Sequence, residues 1–273
     1  SIRGMASSVV WSPFFVAFAV GQIYIDNYNS WFSLLIGLLI GSMFTLISVF
    51  ALNKNLNFII LKRSLNCLRP IFKFLIIVMG IIVSFSLYFN LTALSAVIFV
   101  MPILIFIYFI KNLKKLQNIL SLTVNSMRKN IDDIVIISLA MMIGFIITNT
   151  PNQNFLYEYI DFELVPNFLI FILIPLIMCI LSILCIHPVI SSTILLTIFS
   201  SSNFDINHAL LMQAHLIGWC TGTLSSVASL TVITCSNLFS VPSLRIAFGE
   251  NIFVVILFSI FGGAVLGLLN LII

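Results

Sequence analysis

Apolar residues in this chain continue without alternation for long stretches, broken only by short polar segments. Uncharged runs cover residues 4–25, 27–53, 74–110, 134–157, 164–204, 209–244 and 251–273. A spanning helix needs about 20 predominantly apolar residues. Each run therefore holds a membrane element, and the longest hold two, or one with a re-entrant piece. Continuous rather than period-two apolarity points to helices and away from an outer-membrane barrel. The pattern predicts spans at 5–25, 31–52, 72–89, 93–110, 131–150, 166–186 and 251–273, with a tight turn at Asn90–Thr92. Residues 111–130 differ. Leu113, Leu116, Leu120, Val124 and Met127 recur at intervals of three and four, with Lys114, Lys115, Asn118 and Asn125 elsewhere around the helix. That spacing predicts an amphipathic helix in the cytoplasmic interface, its lysines toward anionic headgroups. A solvated loop with incidental periodicity is the other reading.

Composition turns this pattern into an exclusion. Hydrophobic residues make up 61% of the 273 positions and charged residues 7%, against roughly 25% charged in soluble domains. A soluble globular domain is excluded. The basic residues gather in two blocks, Lys54–Lys73 and Lys111–Lys129, while Glu158, Asp161 and Glu163 form an acidic loop and Asp26 sits alone. Cytoplasmic loops are enriched in Lys and Arg, which puts 54–73 and 111–130 inside and 26–30 and 151–165 outside. The parity of the predicted spans agrees with that assignment. The five cysteines show no ligand or disulfide spacing: Cys179, Cys185, Cys220 and Cys235 read as buried hydrophobes, and Cys67 falls in a polar loop.

Three stretches carry polarity at membrane depth. They are Gly4–Pro13; His187–Pro188 with Ser191–Thr193 and Ser200–Asn203; and the run from His215 to Asn237, rich in Gly, Ser and Thr. Backbone that leaves helical geometry in hydrocarbon must be buried in protein or line a wet cavity. Glycine permits such a break, and hydroxyls can satisfy the freed groups. A broken helix also exposes N–H groups that favour an anion. Tight helix packing by small residues is the alternative explanation, and it is the preferred one for the pairs Gly37/Gly41 and Gly263/Gly267. Gly4-x-x-Ser7-Ser8-Val9 recurs as Gly222-x-x-Ser225-Ser226-Val227, each copy leading through a short connection to an uninterrupted span. With Arg245 cytoplasmic, 31–52 runs inward and 251–273 outward, so the two units are inverted. Inverted repeats with broken helices are a recurring plan of secondary transporters.

Arg3-Gly4 with Trp11–Val16, Ile186-His187-Pro188-Val189-Ile190, and Gly218–Gly222 with Ser225-Ser226 together resemble bacterial permeases related to the ion transporter superfamily. That group holds citrate, dicarboxylate, gluconate and arsenite carriers. The resemblance implies an all-α polytopic fold of two inverted repeats with broken helices and a re-entrant hairpin, in the bacterial cytoplasmic membrane. It implies secondary active transport of a small, organic anion with H⁺ or Na⁺, and a homodimer. On that reading the hairpin is 187–203, the second broken helix centres on Thr221–Ser226, and Gly4–Pro13 is the first. The chain then divides into 1–52, the end of the first repeat; 53–130, connecting spans, basic loop and interfacial helix; and 131–273, the second repeat. Its start, Ser1-Ile2-Arg3-Gly4 without Met or basic leader, suggests the C-terminal portion of a longer transporter. A clean Ser-Asn-Thr signature is absent from both sites.

The expected substrate-binding hydroxyls are Ser7, Ser8, Ser225 and Ser226. Gly4 and Gly222 open the helices, and Thr221 and Thr223 line the cavity or help to hold a cation. His215, an ionisable residue deep in an uncharged run, is the candidate coupling residue; a neutral histidine bonding across a helix interface is the other reading. His187 reads as a cap or an interface residue, and His208 as part of a polar approach. No cofactor, nucleic-acid partner or metal-ligand set is legible. A membrane enzyme is disfavoured because HExxH, paired intramembrane carboxylates and clustered histidines are missing. A channel would show a continuous polar stripe or a ring of selectivity groups. A structural or assembly subunit remains open. Cysteine labelling checks the topology: positions in 54–73 and 158–163 are expected to react from opposite sides of the membrane, and labelling from one side overturns the map.

Overall fold

The computed structural model describes residues 2–25, 28–52, 58–109, 113–129, nine positions between 131 and 146, 165–200 and 204–273. The acidic loop at 158–163, Asp26 and Ser201–Asn203 of the expected hairpin lie outside the described residues, as does most of the span expected at 131–150. Among those described there is helix and no strand. Among the described residues, three helices are long and apolar enough to cross a membrane: Ser30–Phe50, Arg69–Phe89 and Glu250–Ile272. The chain is a helical protein of the kind that sits in a bilayer. It forms two compact units, Ser1–Ser48 with Ile136–Ile273, and Val49–Val135.

The smaller unit holds α4 (Phe58–Phe89), α5 (Ala93–Phe109) and α6 (Leu113–Lys129). The basic stretch expected as a loop is largely helix: α4 starts at Phe58 and passes through Lys62, Cys67 and Arg69, with Pro70 inside it. Leu61, Leu65 and Leu68 at helical spacing, with no breaker before Pro70, account for that extension. Asn90 turns the chain in the left-handed region (φ 51°). Leu91 N–H donates to the Ser86 carbonyl and the Ser86 hydroxyl donates to the Leu91 carbonyl, closing the end of α4. Thr92 then caps α5 by accepting from Ser95 N–H at 3.2 Å. Large apolar side chains such as Phe74, Ile77, Leu87, Phe99 and Ile107 are exposed, the surface expected where the surrounding solvent is lipid.

The larger unit is built around one helix. It contains α1 (Ile2–Ser7), a 3-10 turn (Ser8–Val10), α2 (Val16–Tyr24), α3 (Ser30–Leu52), α7 (Asn167–Ile183), α8 (Pro188–Phe199), α9 (His208–Ser225), α10 (Leu230–Phe239), α11 (Ser243–Phe248) and α12 (Glu250–Ile272). All of α9 except His208 and Thr223 is buried, with α7, α12, α8, α10, α1, the 3-10 turn and α2 packed around it. Lipid is as apolar as leucine, so burial alone does not hold such a bundle together; close contact and internal hydrogen bonds do. The small residues supply that contact. A Cβ on Gly218 would stand 2.6 Å from Met178 Sδ and 3.1 Å from Pro175 Cα of α7. Gly263 and Gly267 seat α12 against the α7 backbone at Phe171, Ile172 and Phe168.

The chain leaves and regains helix where the polar stretches fall. At the end of α7, Cys185 takes φ 63° and Ile186 N–H donates to the Leu181 carbonyl. His187 caps α8, its Nδ1 accepting from Val189 N–H at 3.2 Å, and Pro188 opens the helix. At 12 residues α8 is about 18 Å long, too short for a ~30 Å hydrocarbon core. It is a single short helix over most of the expected hairpin. Asn167, at the head of α7, donates to the Asp205 carbonyl beyond α8, so the α7–α8 pair leaves and returns at one end of the unit. The helices α9 and α10 form a pair bent by 41° across Ser226–Ser229. Ser229 restarts the helix by accepting from Val232 N–H. In the first polar stretch, residues 11–15 are unwound around Pro13, which has no N–H to donate.

Gly263→Ala is expected to lower stability by about 1–3 kcal/mol, because the new methyl meets backbone, with Ile172 Cα at 2.6 Å. Gly80→Ala, where nothing lies within 4 Å, is expected to be neutral or stabilising by up to about 1 kcal/mol. Thermal unfolding of the detergent-solubilised protein measures both. Equal losses at the two positions would refute the packing account.

Candidate functional site

The two motif copies occupy equivalent local positions. Ser7 is the last residue of α1 and Ser225 the last of α9. Each hydroxyl donates to the carbonyl of the motif glycine three residues back, Ser7 to Gly4 at 3.1 Å and Ser225 to Gly222 at 3.2 Å. After Ser225 the chain enters the break directly, whereas after Ser7 it runs on through the 3-10 turn Ser8–Val10 before residues 11–15 unwind; each then resumes as a short helix, α2 of nine residues and α10 of ten. The repeated pattern is therefore a helix ending, and each copy presents C-terminal carbonyls to a break.

Most of the expected site hydroxyls are engaged within the fold. Ser7 also shares a 2.7 Å hydrogen bond with Thr45 of α3. Ser8 donates to the Met5 carbonyl at 2.6 Å. Ser225 reaches the Thr221 carbonyl at 2.9 Å and the Cys179 carbonyl of α7 at 3.4 Å. Thr221 donates to the Gly218 carbonyl and Thr223 to that of Cys220. Ser226 lies at the break itself and is buried. Neither motif glycine sits where its helix opens. Gly222 is inside α9, where a Cβ would stand 2.6 Å from Ser182 Oγ, so its missing side chain makes room for α7. The opening falls at Ser226–Ser229, just beyond. Gly4 is inside α1 with nothing within 4 Å, and there the opening waits for Pro13.

The two copies come together because α9 packs on α1, the 3-10 turn and α2. Arg3 Nε donates to Asn251 Oδ1 at 3.0 Å, and Asn251 Nδ2 donates to the Leu224 carbonyl at 3.0 Å. Higher on α9, Gln213 Nε2 donates to Ser33 Oγ of α3 at 2.9 Å. Both polar atoms of that amide and the Val10 carbonyl crowd the spot where a Cβ on Gly37 would stand. Gln213 Oε1 has no hydrogen-bond partner among the described residues. Gln213 thus sits where α9, α3 and the first broken element meet.

His215 joins three elements. The Ala17 carbonyl can only accept, so Nε2 carries the proton and donates to it at 2.8 Å. Nδ1 then accepts from Ser192 Oγ of α8 at 3.0 Å. Trp219 stands edge-on between His215 and His187, with ring centroids 5.7 and 6.2 Å away. A second proton on the ring would require the Ser192 hydroxyl to turn and become an acceptor. Among the described residues no group of His, Cys, Asp and Glu could hold a metal ion. A cavity of about 490 Å³ opens at the other end of the unit, lined by Tyr28, Asn29, Phe32, Asn207, His208 and Ile273 among others; it does not include the motif residues. Ser33, Thr45, Gln213 and Asn251 escaped the reading of the sequence, while Arg3 and Ser192 entered it only as members of their motifs, with no role. Gln213, a lone amide two residues before His215 in an uncharged run, was the legible one.

No protein-family model matches the chain, and no curated protein or solved structure matches it either. The resemblance to the ion transporter superfamily rests on the short motifs alone.

Proposed function

We propose that this chain is a secondary active transporter of a small organic anion, coupled to H⁺ or Na⁺, in the bacterial cytoplasmic membrane. On this reading it is polytopic and built of inverted repeats. The observation that carries the reading is the pairing of the two Gly-x-x-Ser-Ser-Val copies: each ends a helix, each leads into a break, and the helices that bear them are packed together. At such a break, carbonyls at the end of one helix favour a cation, and N–H groups at the start of the next favour an anion. A coupled carrier needs both at close quarters. Ser226, Ser8 and Ser225 are the hydroxyls that meet the substrate once the breaks open, with Ser7, Thr221 and Thr223 beside them. His215 is the coupling residue if the ion is H⁺, since from α9 it bonds to both α2 and α8, and a second ring proton keeps the bond to Ala17 but obliges the Ser192 hydroxyl to turn.

Radiolabelled anion uptake into proteoliposomes by the full-length protein tests the reading. Saturable uptake, abolished in the Ser225→Ala, Ser226→Ala double variant, is the expected result. Normal uptake by that variant removes the proposed site, and no uptake of any anion removes the function.

In the same vesicles His215→Gln is expected to lose the pH dependence of net uptake while substrate exchange persists. A wild-type pH profile in that variant assigns coupling to Na⁺ instead.

A further inference from the structure

Arg3 stands at the head of the first motif copy, directly before Gly4. Through Asn251 it is tied to Leu224, which lies inside the second copy. One two-bond relay thus joins the cation of one copy to the helix end of the other. The relay uses Nε only. Nη1 is buried and has no hydrogen-bond partner among the described residues. Glu250, the neighbour of Asn251, attracts Arg3 through space, yet no ion pair closes on the guanidinium among the described residues. A buried charged donor left bare is costly. With Nε held, the Nη1–Nη2 edge remains, and that edge matches the two oxygens of a carboxylate. Ser7 lies one helical turn further along α1, and Ser225 and Ser226 follow directly on Leu224.

We propose that Arg3 recognises the charged end of the transported anion, taking a carboxylate or similar oxyanion group on its Nη1–Nη2 edge while Asn251 fixes its orientation. This rests on the transporter reading and adds the substrate contact to it. Glu250 opposes the anion and sets how tightly it is held. Asn251 is a positioning residue: it touches the guanidinium and not the substrate.

Thermal unfolding of the purified full-length protein with sodium succinate, sodium acetate or sodium phosphate, against sodium chloride at matched Na⁺ and ionic strength, gives an apparent Kd for each anion. At least one is expected to raise the unfolding midpoint of the parent protein. Arg3→Gln is expected to weaken that anion by about ten- to a hundredfold, the range for one hydrogen bond to a charged group. Arg3→Lys, which keeps the charge and loses the fork, is expected to fall between. Glu250→Gln is expected to tighten binding severalfold, a change that a purely structural tie would not produce. The inference is overturned if none of the three anions binds, or if Arg3→Gln lowers the midpoint yet keeps the parental Kd. Should Arg3→Gln fail to fold, Arg3→Lys and Glu250→Gln decide it by the same Kd readout. Uptake that persists with Arg3 indifferent leaves the transporter reading standing; Arg3-dependent binding without uptake removes that reading and keeps the anion site.

Discussion

Hydrogen bonds that have no water to exchange with govern this fold. The central helix α9 carries Gln213, His215, Thr221 and Ser225 with no exposed surface at any of them, in a unit whose outer face is apolar. A polar atom there must find its partner within the protein. Each of these side chains does so in at least one bond: to Ser33 on α3, to Ser192 on α8 and the α2 backbone, or to carbonyls of α9 and α7. The packing of the unit follows from those demands. Helices that would otherwise be interchangeable greasy cylinders are given particular neighbours and registers by a few amide, imidazole and hydroxyl groups.

Small residues make those bonds reachable. Gly37 lets α3 come close enough for Ser33 to meet Gln213, and Gly222 clears the space that Ser182 occupies on α7. In a lipid setting, close approach gains dispersion energy and polar contacts that larger side chains would hold apart. The glycines of the repeated motif therefore act within helices, through what they leave out. The irregular backbone sits elsewhere, where proline withholds a donor or a serine starts a new helix.

Much of the architecture could be read along the chain because apolar runs and their interruptions are themselves the physical cause of the helices. Asn90–Thr92, the amphipathic helix at Leu113–Lys129 and the cap at His187 fall where the pattern put them. The start of α4 did not, since charge suggested a loop while the spacing of Leu61, Leu65 and Leu68 continued a helix. The site was less legible. Motif hydroxyls were visible as residues, but whether a serine faces a cavity or bonds back to its own helix depends on where the backbone ends, which composition does not encode. Arg3 and Asn251 lie 248 positions apart, and nothing local in either announces the other.

Among the described residues, three corners take left-handed backbone at residues other than glycine: Asn90, Cys185 and Ser240. At Asn90 and Ser240 a serine four residues earlier, Ser86 or Ser236, locks the turn by donating its hydroxyl across it at 2.7 Å. A corner closed by reciprocal bonds from both backbone and side chain makes a poor hinge. At the second break the Ser229 hydroxyl likewise donates back across it, to the Thr223 carbonyl, whereas residues 11–15 are held by a single long side-chain bond, Phe14 N–H to Ser12 Oγ at 3.5 Å. Bending within the larger unit is thereby steered to residues 11–15, a few positions beyond Ser7 and Ser8 rather than at them, so the joint that flexes is set apart from the groups proposed to hold the cargo.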